Sequence, residues 1–373
     1  MQTPESRHAG GRLLILTPDF PPKHGGIQVL THRLASAMGH LEPVVVTFEA
    51  AGARTFDETS GVRTWRVPAV GPAPMRAILL NLAAILAALR CRPSAILSMH
   101  ILTSPAAIAI GISSGARVVE YFHANEIVAK PGLAAFAARR ADAVIAVSGY
   151  TASLIRSIGA APRDVRLIPP GVNLPRETCP LPRERPTVLT IARLKDRYKG
   201  HDVLIRALAE VRRSVPEVQW IVIGDGPLRR SLEELAADAG LAMAARFLGA
   251  VSDEERNAWL RRADVFAMPS RLPGGGLAGE GFGIVYMEAS AFGKPVVAGN
   301  VAGALDAVAD GVSGLLVDPT DASAVAGAIA KLLLDPELAR RLGRQGAERA
   351  REFAWPVIAE RVQETLLSVA TAP

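Results

Sequence analysis

Cysteine is scarce in this chain of 373 residues, which contains only Cys91 and Cys179. The two lie far apart, and the sequence has no CxxC motif and no Cys/His cluster. These absences exclude a disulfide scaffold and a structural zinc site of the usual spacing, and they favour a reducing compartment. We therefore expect a cytoplasmic protein.

Long hydrophobic runs are also missing. The first apolar run ends at Pro18 and Asp19, too early for the hydrophobic part of a secretory signal, so we expect no export signal. The longest apolar stretch, 77–89, is shorter than the roughly 20 residues that span a bilayer. It predicts either a helix packed on a sheet or a helix that touches a membrane surface. The second alternative would make the protein peripheral at the inner face of the cell membrane, through the flanking Arg76, Arg90 and Arg92.

Several nucleotide-binding and metal-binding motifs are absent. The turn after the first predicted strand carries Gly25 and Gly26 but neither GxGxxG nor GxxxxGK[ST], which disfavours a nicotinamide dehydrogenase and a P-loop ATPase. No DxD-type carboxylate pair follows a predicted strand, so we expect no essential metal. Zinc-finger spacing and RNP-like aromatic motifs are missing too, and no nucleic-acid partner is expected.

The charge balance is positive. The formal net charge is +6, with 49% hydrophobic and 21% charged residues, values of a folded α/β protein with an excess of cations. Such an excess suits an anionic partner, either a phosphate-rich substrate or lipid headgroups.

Short β-branched runs alternate with helical patterns along the chain, which is typical of parallel sheets with crossover helices. Strands are predicted at 13–17, 44–48, 95–99, 117–122 and 143–148, and again at 187–192, 220–225, 245–250, 264–269 and 295–299. The helices between them include 27–38, 77–90, 134–140, 201–214 and 228–237. A chain of this length favours two domains, and a proline-rich segment separates the two series.

The predicted fold class is therefore α/β, with two doubly wound domains and a cleft between them. Ligands bind such sheets at the carboxyl ends of the strands. The predicted boundaries are 1–171 for the first domain, 172–186 for the linker and 187–354 for the second domain. Periodicity also predicts a helix from Trp355 to Val369 but does not place it.

A glycine-rich segment at 271–290 leads directly into a predicted helix. Glycines at the start of a helix let the backbone approach a phosphate, whose charge the unpaired amides and the helix dipole stabilise. By themselves they also fit an ordinary surface loop. Two carboxylates favour a binding site, because Glu280 in the loop and Glu288 in the helix can each accept hydrogen bonds from sugar hydroxyls.

Two further sets of polar residues follow predicted strands. The segment 192–200 contains Arg193, whose planar guanidinium suits phosphate oxygens, and Lys199, a compact charge. The alternative for this segment is a solvated basic turn. His123 follows the strand at 117–122, where a structural and a functional role are both open.

The segment EGFGIVYME (280–288) has an E-x7-E form that resembles the retaining nucleotide-sugar glycosyltransferases of sequence family 4, which have the GT-B fold of two Rossmann-like domains. The segments RLKDRYKG, IPPGVN, ADAVIAVS and GDGP resemble that family in matching order over nearly the whole chain. Within the family, PPKHGGIQ and the loop GGGLAGEGFGIVYMEA look most like phosphatidyl-myo-inositol mannosyltransferases that use GDP-mannose.

That resemblance implies roles for particular residues. Arg193 and Lys199 would bind the donor diphosphate, and Glu288 the ribose hydroxyls. Glu280 and the amides of the helix start would hold the donor sugar and phosphate. Gly25 and Gly26 would approach the β-phosphate, His123 would lie near the transferred sugar, and the loop at 249–251 would meet the base. The resemblance thus implies catalytic roles for His123, Glu280, Arg193 and Lys199, and donor binding by Gly25, Gly26, Arg193, Lys199, Val251, Glu280, Phe282, Gly283, Ile284 and Glu288.

The implied reaction transfers a hexose, mannose from GDP-mannose, to a hydroxyl of a lipid or glycan with retention of configuration. The resemblance also implies that the final helix crosses back onto the first domain. Two departures matter: the hinge has Pro170 and Asn173 where the family often has asparagine and aspartate, and the acceptor segment 50–92 matches nothing recognisable. Alternatives are a UDP-sugar-dependent transferase acting on a soluble molecule, a GT-B nucleotide-sugar epimerase and a non-catalytic sugar- or lipid-binding module.

Overall fold

A computed structural model describes residues 12–371 except His24, Pro273, Gly275 and Ala278. The chain divides into two compact units. Unit 1 comprises Met1–Val147, Thr151–Ile168 and Trp355–Pro373, and unit 2 comprises Ser148–Tyr150 and Pro169–Ala354. The finer boundaries predicted from the sequence, with a linker at 172–186, stay a prediction.

Unit 1 contains a seven-stranded parallel sheet in the order β3-β2-β1-β4-β5-β6-β7. The strands are β1 Leu13–Leu16, β2 Val44–Phe48, β3 Arg63–Val67, β4 Ala95–Ser98, β5 Arg117–Phe122, β6 Ala143–Ala146 and β7 Val165–Leu167. Its helices are α1 Gly26–Ala37, α2 Ala53–Ser60, α3 Ala73–Cys91, α4 Ser104–Ser114, α5 Ala124–Ala129, α6 Pro131–Arg140 and α7 Gly149–Ser157, of which the first two residues belong to unit 2. The central strands are apolar and buried because helices cover both faces of the sheet.

Unit 2 contains a six-stranded parallel sheet in the order β10-β9-β8-β11-β12-β13. The strands are β8 Thr187–Ile191, β9 Gln219–Ile223, β10 Ala245–Gly249, β11 Val265–Met268, β12 Val296–Gly299 and β13 Gly314–Val317. The helices are α8 His201–Val211, α9 Arg229–Asp238, α10 Asp253–Arg262, α11 Ile284–Ala291, α12 Ala304–Ala307, α13 Ala322–Leu334 and α14 Pro336–Ala350. Two apolar clusters, one containing Trp220 and the other Phe266, form its core.

The last helix, α15 Trp355–Thr371, lies in unit 1. Its apolar side chains, among them Ile358, Val362 and Leu366, are buried in the same cluster as Ile15 and Leu97 of the central strands. This long-range packing explains why periodicity alone could not place the helix.

Both sheets are doubly wound. In unit 1 the strand order reverses between β1 and β4, and in unit 2 it reverses between β8 and β11. Ligands of such sheets bind outside the carboxyl ends of the strands at this reversal. The loops that leave β1, β4, β8 and β11 are therefore the places to look for a site.

The apolar stretch predicted at 77–89 belongs to a longer helix, α3, which the structure extends over 19 residues. Pro74 lies in its first turn and Arg92, with a φ of 48°, ends it. Leu80 and Ala84 face the core, whereas five side chains on the opposite side are exposed: Ile78, Leu82, Ile85, Leu86 and Leu89. We call these five the outer face of α3. By length and composition alone α3 could cross a membrane, although a third of its 18-residue apolar window is buried in the protein.

Candidate active site

The loop that leaves β8 carries Arg193 and is supported from behind by the segment that follows β9. The amide of Leu194 donates a hydrogen bond of 2.9 Å to the carbonyl of Asp225. A Cβ atom on Gly224 would lie 2.0 Å from the carbonyl oxygen of Ala192, so only glycine allows this close backbone approach. The GDGP segment, predicted only as a family motif, thus shapes the basic loop.

The same loop contacts the chain leaving β11, at the reversal of strand order. The amide of Arg271 donates a hydrogen bond of 2.8 Å to the carbonyl of Tyr198. Gly200, with a φ of 77°, lies so close to Pro269 that a Cβ atom would stand 2.1 Å from its carbonyl oxygen. The two predicted constellations therefore belong to one site.

An ion pair that the sequence analysis missed joins these two loops. The guanidinium of Arg271 makes two parallel contacts with the carboxylate of Asp202, of 2.9 and 3.0 Å. Such bidentate pairs are strong and fix orientation. Asp202 lies in the first turn of α8, directly after the basic loop, so the pair fastens the start of the glycine-rich segment to that helix.

Lys199 and Glu280 are brought together as the central pair of the site. Their side chains form an ion pair and are only 11% and 13% exposed. Burial acts to lower the pKa of Lys199, but the Glu280 carboxylate more than offsets it and the pKa is raised, so the ammonium stays charged. The Lys199 ammonium also lies 5.1 Å from the centre of the Tyr198 ring.

The start of α11 forms the second part of the site. Gly283 precedes Ile284 with a φ of 87°, and a Cβ atom there would lie 2.4 Å from the Tyr286 ring. The phenol of Tyr286 donates a hydrogen bond of 2.8 Å to the carbonyl of Met268, which fixes α11 to the end of β11. Phe282 is buried. The free amides and positive dipole of a helix start suit an anion. Pro273, Gly275 and Ala278 of the predicted loop lie outside the described residues.

The remaining predicted residues of unit 2 do not join the central pair. Arg193 is 71% exposed and lies 3.7 Å from Asp196. Glu288 is half-buried and makes its ionic contact with Arg256 on α10, at 4.0 Å. Burial raises the pKa of Glu288, and Arg256 opposes that rise. Val251 is half-buried against the apolar core.

In unit 1 the loop leaving β1 ends at Gly25 and Gly26, where α1 begins. His24, from the same predicted segment, lies outside the described residues. The structure adds Asp19, which sequence reasoning did not select. Its carboxylate accepts a hydrogen bond of 3.1 Å from Gln28, and burial raises its pKa against the opposing charge of Lys23.

His123 follows β5, as predicted, at the start of α5. Its Nε2 atom lies 3.2 Å from the carbonyl oxygen of Met99, and because a carbonyl only accepts, Nε2 carries the proton. The ring stacks on Tyr121 at 5.5 Å. Burial, aided by the nearby His100, lowers the pKa of His123 to about 3 despite the hydrogen bond to Met99. A neutral ring held in this way is suited to positioning.

Glu126 ties the loops leaving β4 and β5 together. It accepts hydrogen bonds from the amides of His123 (3.0 Å) and Ile101 (3.2 Å). The Nε2 atom of His100 lies 3.3 Å from the same carboxyl group. Burial lowers the pKa of His100 to about 4 and raises that of Glu126 to about 8. Sequence reasoning missed His100 and Glu126, although His100 follows β4 as His123 follows β5.

Comparison with known proteins identifies the family of the chain. Residues 24–176 match the family described as "Glycosyltransferase Family 4", and residues 176–349 match "Glycosyl transferases group 1". The GDP-mannose-dependent alpha-(1-6)-phosphatidylinositol monomannoside mannosyltransferase of Mycolicibacterium smegmatis is 35% identical over 396 residues, covering 95% of this chain and 98% of that protein. The corresponding protein of Mycobacterium tuberculosis H37Rv is 34% identical over 387 residues, with the same coverage.

Solved structures share the fold. Anabaena HepE, crystallised with UDP, superposes with a TM-score of 0.81 at 22% identity, covering 96% of this chain and all of that one. Sucrose-phosphate synthase from Thermosynechococcus elongatus gives a TM-score of 0.81 at 24% identity, covering 97% and 99% of the two chains.

Two Rossmann-like units, with a basic loop and a carboxylate-bearing helix start at one strand-order reversal, define a glycosyltransferase of the GT-B fold. The chain belongs to glycosyltransferase family 4, together with the phosphatidylinositol mannosyltransferases. The fold class and enzyme class predicted from the sequence are confirmed. The roles of the individual site residues stay predictions.

Proposed function

We propose that the chain transfers mannose from GDP-mannose to a hydroxyl of a phosphatidylinositol mannoside. The observation that carries this proposal is the largely buried pair of Lys199 and Glu280 at the strand-order reversal of unit 2. The relatives that match almost the whole chain support the choice of substrates, since they are named for GDP-mannose and for phosphatidylinositol monomannoside.

The chemistry follows from charge. Departure of the nucleoside diphosphate builds negative charge, which Lys199, Arg193 and the start of α11 stabilise electrostatically. Arg193 is exposed and can turn toward a phosphate without breaking a buried contact. Glu280 accepts hydrogen bonds from the sugar hydroxyls, and Glu288 from the ribose. In a retaining reaction the donor phosphate itself can take the acceptor proton, so Glu280 need not act as a nucleophile.

A thermal-shift panel of GDP, UDP, ADP and TDP tests the donor. A ligand that binds only the folded protein raises its melting temperature. We expect GDP to give the largest shift, and expect Lys199→Ala to abolish it. A larger shift with UDP would replace GDP-mannose by a UDP-sugar and would leave the enzyme class intact.

The acceptor is proposed to be a membrane lipid, so the protein would be cytoplasmic and peripheral at the membrane. The exposed outer face of α3 supports contact with a bilayer. Partial relatives suggest a soluble acceptor instead, since D-inositol 3-phosphate glycosyltransferase 2 of Catenulispora acidiphila is 36% identical over 59% of this chain. The rate of mannosyl transfer to phosphatidylinositol monomannoside in vesicles is compared with the rate to inositol phosphate in solution. This comparison distinguishes a lipid acceptor from a soluble one. Faster transfer to inositol phosphate would overturn the lipid acceptor.

A further inference from the structure

A cavity of about 500 Å³ opens in unit 1 beside the last turns of α3. Residues that line it include Arg12, Arg63, Trp65, Arg66, Arg90 and Cys91. Arg63 is the first residue of β3, so the cavity extends to the amino ends of the strands, whereas His123 and Gly25 follow carboxyl ends. The cavity therefore lies along β3 and opens toward the amino ends of the strands, while Arg66 in its wall donates a hydrogen bond of 2.6 Å to the carbonyl of Pro21 in the loop that leaves β1.

The lining is cationic, and part of its charge is not neutralised. Arg66 is paired with Asp57 at 2.7 Å, and Arg12 with Glu42 at 3.2 Å. Across the part of the chain that the structure describes, neither Arg63 nor Arg90 has a carboxylate within 4.0 Å. These two arginines remain available for an anion.

Arg90 is held in a defined place. Its guanidinium lies over the Trp65 ring at 4.9 Å from the ring centre. Such stacking leaves the edge of the guanidinium free to donate hydrogen bonds, and that edge matches two phosphate oxygens. A stacked arginine is pre-organised and loses less freedom on binding than an unsupported side chain.

The cavity adjoins the outer face of α3. Leu86 and Leu89 belong to that face, and Arg90 is the next residue along the helix. Ile78, Leu82, Ile85 and Leu89 recur at intervals of three or four residues, which places them in one stripe along the helix, and Leu86 widens that stripe. Cations at the end of an apolar stripe complement a phosphate that is attached to acyl chains.

We propose that this cavity seats the phosphate group of an anionic phospholipid that is not glycosylated, while the acyl region lies against the outer face of α3. The proposal rests on the membrane contact proposed above and names the part of the lipid that is recognised. The bound lipid would fasten unit 1 to the bilayer at the β3 edge of its sheet.

Sedimentation with phospholipid vesicles tests the proposal, using the full chain with Arg63→Gln and with Arg90→Gln. Arg213→Gln is the matched control, because it removes the same charge from an exposed position in unit 2. We expect each cavity variant to bind phosphatidylglycerol-containing vesicles roughly fivefold more weakly, and the control to bind like the wild type. Equal binding by all four proteins would overturn the proposal, and so would an equal loss in the control.

A second pair of variants tests whether the outer face of α3 contacts the acyl region of the lipid. Leu89→Ser removes an exposed leucine of the outer face, and Leu334→Ser removes a similarly exposed leucine on α13. We expect only Leu89→Ser to weaken vesicle binding. Equal weakening by the two serines would contradict a role for the outer face.

Two soluble probes at equal ionic strength show whether the cavity recognises a phospholipid or any phosphate ion. We expect short-chain phosphatidylglycerol to release the protein from vesicles at a concentration at which inorganic phosphate does not. Equal release by inorganic phosphate would overturn the lipid assignment. The GDP-induced thermal shift is measured on the same variants, and we expect it to be unchanged. Unchanged vesicle binding in the cavity variants would reject the lipid site alone, whereas the absence of a GDP-induced shift in the wild type would reject the proposed donor site.

Discussion

The Lys199 ammonium and the Glu280 carboxylate form a largely buried ion pair although the two residues are 81 positions apart in the chain. Parallel strand order produces this contact, because β8 and β11 are neighbours and the loops that leave them meet at one edge of the sheet. A cation and a carboxylate held there in advance can exchange partners with a diphosphate and a sugar without a large rearrangement.

Arg193 and Lys199 are predicted to differ in what their removal does. Each alanine substitution should cost about 2–4 kcal/mol of transition-state stabilisation, seen as a large fall in kcat/KM. Lys199→Ala should also lower the unfolding free energy by roughly 1–3 kcal/mol, because it leaves Glu280 buried without its partner. Arg193→Ala should leave stability unchanged, since the side chain is 71% exposed. Near-normal turnover in both purified variants would contradict the role of Arg193 and Lys199 in binding the donor diphosphate.

The pair of Arg271 and Asp202 is predicted to position the donor site. Arg271→Ala and Asp202→Ala should each raise the KM for the donor severalfold, because each releases the glycine-rich segment from α8. The double variant should be little worse than either single one, since residues that act as a unit are not additive. Arg340→Ala and Glu337→Ala, a pair on the surface of α14, serve as the control. Additive effects on KM would show that the two residues act independently.

Glu120 is predicted to make the free energy of unfolding depend on pH. It is fully buried on β5, where neither of its carboxyl oxygens has a hydrogen-bond partner among the described residues, and burial raises its pKa from 4.5 to about 8. In the folded protein the Glu120 carboxyl group therefore stays protonated up to about pH 8, whereas in the unfolded chain it ionises above its ordinary pKa of 4.5. The resulting stabilisation is complete below pH 4.5 and is lost as the pH rises through about 8.

Glu120→Gln, which cannot titrate, should gain stability relative to the wild type as the pH rises. We expect a relative gain of roughly 4 kcal/mol between about pH 5 and about pH 9, measured by urea unfolding. The nearby Glu126 also titrates, but it is present in both proteins and its contribution largely cancels. A stability difference that does not change with pH would show that Glu120 is ionised in the folded protein.

Metal independence is a further prediction. The protein's own cations, Lys199 and Arg193, are expected to take the place that Mg²⁺ holds in other transferases. Activity should persist after dialysis against EDTA, measured by release of the nucleoside diphosphate. Complete loss that Mg²⁺ or Mn²⁺ restores would point to a different mechanism.

Elements with a strong local signal were predicted well. The strands Val44–Phe48 and Arg117–Phe122 match their predicted bounds, because each is a run of β-branched and aromatic residues between turn signals. The strand RTWRV at Arg63–Val67 was missed, since it is an edge strand with charged residues and no continuous apolar run. The strands Val165–Leu167 and Gly314–Val317 were also missed.

The site residues also fall into two groups: those that the sequence could predict and those that only the fold brings together. Lys199 and Glu280 could be selected because each follows a predicted strand or precedes a predicted helix, and the structure brings them together. Arg271 and Asp202 could not be paired from the sequence, because they lie 69 positions apart and only the order of the strands brings them into contact. Glu126 was missed for a similar reason, since its partner Ile101 follows a different strand.

The central claim is mannosyl transfer from GDP-mannose to a lipid at the Lys199–Glu280 site. Its most direct test is the initial rate at which label passes from mannose-labelled GDP-mannose into phosphatidylinositol monomannoside, with wild type and Lys199→Ala side by side. We predict that wild type labels the lipid and that the variant is about 100-fold slower. Lipid labelling that occurs only with a UDP-sugar, or at equal rates in the two proteins, would contradict the claim.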